Sequence, residues 1–180
     1  MTDGVVLPPG AGRRIAGGGL DATVKVGSDL APFSTFEVVL PPGYDVGAHV
    51  HAHGEEFFYV VEGELDLLAF EPVDRSLPDW LRWESASGQR YLHGGAGAFM
   101  FVPENVPHAF ANRTKAPAKI FFQSSVPGGH ENYFDELAAL LRKADGRPDP
   151  NDVAELRRRY DIEQLTPMNA AGSSDRHEHH

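Results

Sequence analysis

The chain has no cysteine. Disulfides, thiolate nucleophiles, Cys-ligated zinc and iron–sulfur clusters are therefore excluded together, and any metal must be held by histidine and carboxylate. Long apolar runs are missing too. The longest aliphatic and aromatic stretch, FFYVV at 57–61, is far too short to cross a bilayer, and the opening MTDGVVLPPGAGRR lacks an apolar core of signal-peptide length. A soluble, cytoplasmic protein is the expectation. Basic charge is in deficit: 16 Lys and Arg against 26 Asp and Glu give a formal net charge of −10. Without a basic segment or a recognisable helix-turn-helix, neither nucleic acid nor an anionic membrane is an expected partner. What remains is ordinary globular composition, 41% hydrophobic and 23% charged, over 180 residues, a length suited to one domain with tails.

Two segments stand out against this background. The first runs Gly43, five residues, His49-x-His51, four residues, Glu56, six residues, Gly63. On one strand, His49 and His51 project from the same face and can share a metal. Glu56, five positions past His51, would face away on an uninterrupted strand. Gly54 permits a reversal before it, so that Glu56 opens a returning strand with Phe58 and Val60 on its face. The second segment runs Gly97, five residues, Pro103, four residues, His108, three residues, Asn112, with Pro107 fixing the backbone before the histidine. A fourth ligand fits there.

These two patterns resemble the cupin superfamily, whose motifs are G-x5-H-x-H-x3–4-E-x6-G and G-x5-P-x-G-x2-H-x3-N. The first is matched at every defined position. The second departs once, at Asn105, where the family has glycine; Asn tolerates left-handed backbone, which reads as a conservative turn replacement. The resemblance implies an antiparallel jelly-roll β-barrel and one metal held by His49, His51, Glu56 and His108. The layout after the barrel, PGG, an aromatic-rich helix and then a second helix, is similar to single-domain quercetin 2,3-dioxygenase-like cupins, as is FVPENVPHAF.

Taken in order, residues 1–21 read as a Gly- and Pro-rich N-terminal arm, 22–125 as the barrel, 126–165 as a helical segment and 166–180 as a disordered tail. Strands are expected over 22–26 and 33–40, then in short pieces punctuated by Gly and Pro. The long insert at 71–95 carries Trp80 and Trp83 after Pro78. It reads either as a lid or subunit contact or as a loop anchored to the barrel by its indoles. After the sheet, Phe134, Leu137 and Leu141 mark an amphipathic helix with early acids, late bases and Gly146 behind it. A second helix begins near Asp149-Pro150 with Val153, Leu156 and Tyr160 on one stripe, and Arg157–Arg159 reads as its solvated face. His177, His179 and His180 are assigned no role.

Among the other histidines, His53 reads as a group behind the ligands or a plain loop residue, and His93 and His130 as solvent-facing residues of Gly-rich loops. Three imidazoles and a carboxylate suit Fe, Mn, Ni or Co, with Zn possible. Tetrahedral zinc would be saturated by the four; an octahedral ion would keep two open positions. Of Phe36, Phe58, Phe99, Phe101, Phe110 and Phe121, strand alternation lets only some line an aromatic pocket. The resemblance implies a dioxygenase acting on a flavonol-like or other enol or enediol substrate, with Glu56 as base at a raised pKa. Alternatives are a non-oxidative cupin (isomerase, lyase or polyketide-type cyclase) and a small-molecule-binding cupin without turnover. A homodimer is expected because cupins usually associate.

Overall fold

The computed structural model describes residues 3–17 and 20–169. The tail histidines His177, His179 and His180 fall outside them. Eleven strands and two helices follow one another: β1 (Arg13–Gly17), β2 (Leu20–Val26), β3 (Ser34–Leu40), β4 (His49–Val50), β5 (Glu56–Glu62), β6 (Leu65–Ala69), β7 (Leu92–Gly94), β8 (Phe99–Val102), β9 (His108–Ala111), β10 (Ala118–Ser124), α1 (His130–Lys143), α2 (Pro150–Arg159) and β11 (Glu163–Gln164). The strands form two antiparallel sheets, ordered β1-β2-β3-β10-β5-β8 and β11-β4-β9-β6-β7, in the jelly-roll layout the motifs imply.

Strand alternation builds the space between the sheets. Phe36, Val38 and Leu40 of β3, Phe58 and Val60 of β5, and Ile120 and Phe122 of β10 point inward and meet Leu65, Leu67 and Phe110 of the smaller sheet. Phe36 and Phe122 stack at 5.4 Å, and Phe58 and Phe122 at 4.7 Å. The opposite parity faces out. Phe99 and Phe101 are about half exposed, at 58% and 49%. Phe121 shares that outer face, where Phe57 touches both Phe99 and Phe121. Of the six phenylalanines considered from sequence, Phe99, Phe101 and Phe121 are thus excluded from any interior pocket.

The insert packs on the outer face of the smaller sheet. A single 3₁₀ turn at Trp80–Arg82, capped by the Asp79 carboxylate accepting from the Leu81 N–H, turns both indoles inward. Trp80 and Trp83 are buried against Ala48, Leu68, Ala109 and Ala111. Each indole N–H finds an acceptor, Asp45 Oδ1 at 3.0 Å and the Leu77 carbonyl at 3.0 Å, so the rings are buried without an orphaned donor.

The two helices close one mouth of the sandwich. α1 is anchored in its first turn by the Glu131 carboxylate, which accepts from the backbone and hydroxyl of Ser28 and from the hydroxyl of Ser34. α2 starts with Asp149 capping the Asn151 N–H and Pro150 in the first turn. Tyr133, Leu137, Leu156 and Ile162 pack the helices together. Two segments read as irregular are ordered in part. Residues 13–17 of the arm form β1, paired with β2 along its length. In the tail, the Thr166 hydroxyl accepts from the Ala48 N–H at 2.7 Å, and Asn169 and Asp45 exchange backbone hydrogen bonds.

Gly54 makes the reversal that delivers Glu56. Its φ is +154°, and a Cβ there would lie 2.7 Å from Val126 Cα. Gly54→Ala is expected to destabilise the fold by about 1–3 kcal/mol in urea unfolding and to lower metal content by displacing Glu56.

Candidate metal centre

The four motif side chains come from both sheets. His49 opens β4 and pairs in register with His108, the first residue of β9. His51 follows directly after β4, and Glu56 opens β5 in the facing sheet. All four are buried, with His108 at 0% and Glu56 at 3% exposed. One ligand atom from each lies within 4.8 Å of the other three. The imidazole centroids are 4.2 to 5.2 Å apart.

Hydrogen bonds fix which nitrogen faces the centre. Nδ1 of His49 lies 2.9 Å from the Gly47 carbonyl, Nδ1 of His51 2.9 Å from that of Asp161, and Nδ1 of His108 3.1 Å from that of Val106. A carbonyl can only accept, so each Nδ1 carries the proton and donates it. In the neutral rings every Nε2 then presents a lone pair inward. Glu56 Oε2 lies 2.9 Å from His108 Nε2 and 3.3 Å from His51 Nε2. At 3.3 Å the His51 approach lacks hydrogen-bond geometry, and His51 Nε2 and Glu56 Oε1 are buried without a hydrogen-bond partner. Lone pairs and a carboxylate converging in a dry interior are stabilised only by added protons or a cation. Three imidazoles and a carboxylate are the donor set of a borderline divalent transition ion, so these residues fit one.

Burial is the largest influence on His49, His51 and Glu56. It drives His49 well below the usual histidine value, with His108 and His51 adding to the effect. It lowers His51 too, but the neighbouring Glu56 carboxylate outweighs it and the ring ends up raised. Burial pushes Glu56 up, yet His51 and His108 overcome that push and hold its carboxyl well below the usual range. The raised pKa expected for Glu56 from sequence is therefore corrected: in this site it stays ionised.

Beside the cluster is a partly open chamber of roughly 70 Å³, lined by His49 and Glu56 together with Phe58, Phe110, Phe122 and Phe134. No residue of the 71–95 insert lines it; its cover is α1, α2 and β11. Two expectations change here, and one open alternative is resolved, His53 being the plain loop residue. His130 is no solvent-facing loop residue. It is the first residue of α1, buried, hydrogen-bonded through Nδ1 to Ser124 Oγ at 3.2 Å and 3.5 Å from Glu56 Oε1. Arg157 is not part of the solvated helix face but half-buried on the chamber side of α2, while Arg158 and Arg159 are exposed. His53 sits outside the cluster, its side chain 76% exposed beside Asp161. His93 is exposed as expected, though in β7, paired with Asp66 and Glu64.

The sequence did hold a signal for both missed residues. His130 precedes Phe134, Leu137 and Leu141 by four, seven and eleven positions, on the same helical stripe. Arg157 follows Val153 by four and precedes Tyr160 by three, the stripe that faces inward on α2.

The chain matches the model of the Cupin family over residues 27–145, more than half its length, and it belongs to that family. No curated protein sequence matches it. Among solved structures it is similar to a sugar phosphate isomerase of the cupin superfamily from Silicibacter pomeroyi, with 25% identity and a TM-score of 0.44. The match covers 59% of this chain and 59% of that one. It is also similar to a deletion mutant of oxalate decarboxylase from Bacillus subtilis (18% identity, TM-score 0.46, 61% of this chain and 27% of that one). A dimethylsulfoniopropionate (DMSP) lyase from Ruegeria pomeroyi is a third (21% identity, TM-score 0.37, 51% and 37%).

Two predictions follow from the geometry. Burial holds His130 at about 4 against an ordinary 6.5. Folded protein thus binds fewer protons here than unfolded protein, and the associated stability is intact above pH 6.5 and lost as pH falls toward 4. His130→Gln is expected to remove about 3 kcal/mol of that acid-induced loss in metal-free protein, read by urea unfolding across this range. For the cluster itself, equilibrium dialysis is expected to find one divalent ion per chain, with His49→Ala and His108→Ala each weakening it strongly and abolishing the rise in Tm that saturating metal gives.

Proposed function

We propose that this cupin is a metal-dependent oxidoreductase, a dioxygenase of small enol or enediol substrates, with His49, His51, Glu56 and His108 holding one Fe, Mn, Ni or Co ion. The observation that carries the reading is the orphaned Glu56 Oε1 at the end of an apolar chamber: a proton acceptor with no protein partner, where an acidic substrate hydroxyl would enter. A cation held by the cluster supplies Lewis acidity toward an enolic oxygen and, when redox-active, access to dioxygen. Glu56 accepts the hydroxyl proton at Oε1. Its pKa is held low by His51 and His108 against the push of burial, so the carboxylate is in the ionised form that can accept this proton. His130, neutral at neutral pH, stands 3.5 Å from Oε1 without a hydrogen bond to it, so that it does not compete for the proton. The phenylalanine walls and the helical cover exclude water.

Chamber size bears on the substrate. About 70 Å³ is less than half the roughly 150 Å³ that admits a benzene ring, so a three-ring flavonol exceeds it unless α1 and α2 part. The same observation favours a second reading, a non-oxidative isomerase, lyase or cyclase of small substrates, since nothing in the donor set requires oxygen. Dioxygen separates the two. With protein loaded separately with Fe, Mn, Ni and Co, oxygen consumption matched to the loss of a small enediol is expected, and Glu56→Gln should lower kcat by at least about a hundredfold. Turnover that persists anaerobically and with zinc would replace the first reading by the second.

A further inference from the structure

One charged group at the chamber has no counter-charge. Arg157 lines both the inner chamber and an outer groove of roughly 570 Å³ between α1, α2 and the 146–150 turn. It belongs to the wall that the two spaces share, with Leu137, Leu141, Ile162, Gln164 and Met168. Its contacts are all neutral: Nη1 donates to Gln164 Oε1 at 3.0 Å, Nη2 to Met168 Sδ at 2.7 Å, and Nε to the Tyr133 hydroxyl at 3.4 Å. Among the described residues no carboxylate lies within 4.0 Å of it, whereas Arg13, Arg14, Arg75, Arg90, Arg113 and Arg159 each have one. In a chain with ten more acids than bases, a half-buried guanidinium held on neutral groups is costly unless an anion joins it.

A second group points the same way. Tyr44 is buried and lines the same chamber. It is near enough to Arg157 for the cation to oppose the upward push of burial on the phenol. The fork of Arg157 is also only half committed. Gln164, which sits opposite His49 in the β11–β4 pairing, fixes Nη1. The Nη2 acceptor is a thioether sulfur, a weak one that a carboxylate oxygen displaces readily.

We propose that Arg157, oriented by Gln164 and sharing the chamber lining with Tyr44, anchors a carboxylate of the substrate, so that this site takes a small carboxylic acid whose other end reaches His49 and Glu56. The inference rests on the reading of the four-donor cluster as the reacting centre. A planar carboxylate, not a phosphate, is the matching anion. Among the described residues Arg157 is the one guanidinium lining the chamber; its flat fork pairs two oxygens, and no Lys or second Arg stands with it to neutralise a dianion.

The test is a charge comparison on metal-free, full-length protein by NMR titration. Propionate and propionamide are the probes, alike in shape and different in charge. Propionate is expected to bind at least about tenfold tighter than propionamide and to shift the Arg157 Nε–H resonance. Arg157→Met should abolish the preference, leaving propionamide binding unchanged, and Arg157→Lys should keep part of it. Gln164→Glu provides an independent arm: it sets a carboxylate on the guanidinium itself and should suppress propionate binding without removing Arg157. Equal affinity for the two probes, no binding of either, or an unchanged preference in both Arg157→Met and Gln164→Glu overturns the proposal. No metal or turnover enters this titration. Intact carboxylate preference beside a failed oxygen assay rejects the oxidoreductase reading alone, and oxygen consumption without the preference rejects the anchor alone.

Discussion

Three backbone carbonyls, those of Gly47, Val106 and Asp161, hold the metal centre in its form. Each takes the Nδ1 proton of one histidine and so turns Nε2 toward the others. The carbonyls come from three separate loops, and each loop has a left-handed residue at or beside the acceptor: Gly47 at φ +69°, Asn105 at +63° and Asp161 at +57°. The unusual backbone is what aims the carbonyl. At Gly47 the need for glycine is twofold, since a Cβ would lie 2.6 Å from the Thr166 carbonyl oxygen. At Asn105 the backbone N–H donates to the His51 carbonyl at 2.8 Å, tying the loop before His108 to the chain just past β4. The one departure from the family pattern thus keeps the conformation glycine would have supplied, through a residue that tolerates it.

The third carbonyl shows that the helical segment is part of the site. Asp161 lies just past α2, more than a hundred residues from the histidine it orients. Its side chain also receives the His53 N–H at 2.7 Å, so the loop between β4 and β5 is held by the same residue. His130 at the start of α1 stands beside Glu56, and Arg157 in the last turn of α2 lines the chamber. Shifting α2 would disturb a ligand tautomer and the chamber wall together. The contacts joining it to α1, Arg159 and the Tyr160 hydroxyl on Glu136, therefore act on the chemistry without touching it.

What could be read from the chain beforehand divides along the same line. The ligand spacing was legible because strand parity and one glycine reversal are local: His49 and His51 share a face by alternation, and Gly54 turns Glu56 toward them. The helices were legible from their periodicity and caps. His130 and Arg157 were not recognised because polar residues on an apolar stripe were given the reading of their neighbours, Gly-rich sequence for one and an arginine run for the other. Phe99 and Phe101 show the reverse failure. Their strand exposes its aromatic parity and buries Met100 and Val102, and nothing local says which parity the facing sheet will cover. Nor could composition reveal that Thr166 and Asn169 bridge back to β4 and its approach, since those pairings span well over a hundred residues.

Charge in the chamber brings these elements to one conclusion. Three neutral imidazoles and one ionised glutamate would leave a bound divalent cation one negative charge short of neutrality, and burial keeps the nearby His130 uncharged at neutral pH. Arg157 adds a second uncompensated positive charge at the other end of a space walled by phenylalanines, where charges are poorly screened. The protein as a whole is strongly acidic, yet with a cation in the cluster this interior would be positive at both ends. A neutral ligand would leave both ends unbalanced. A ligand with a carboxylate at Arg157 and an enolate at the cluster would satisfy each in turn, and the distance between them would select its length. On the proposed reading the protein would set the acidity of such an enol: every added unit of uncompensated positive charge in a dry chamber favours the deprotonated form, and this would let a carboxylate as weakly basic as Glu56 serve as the acceptor.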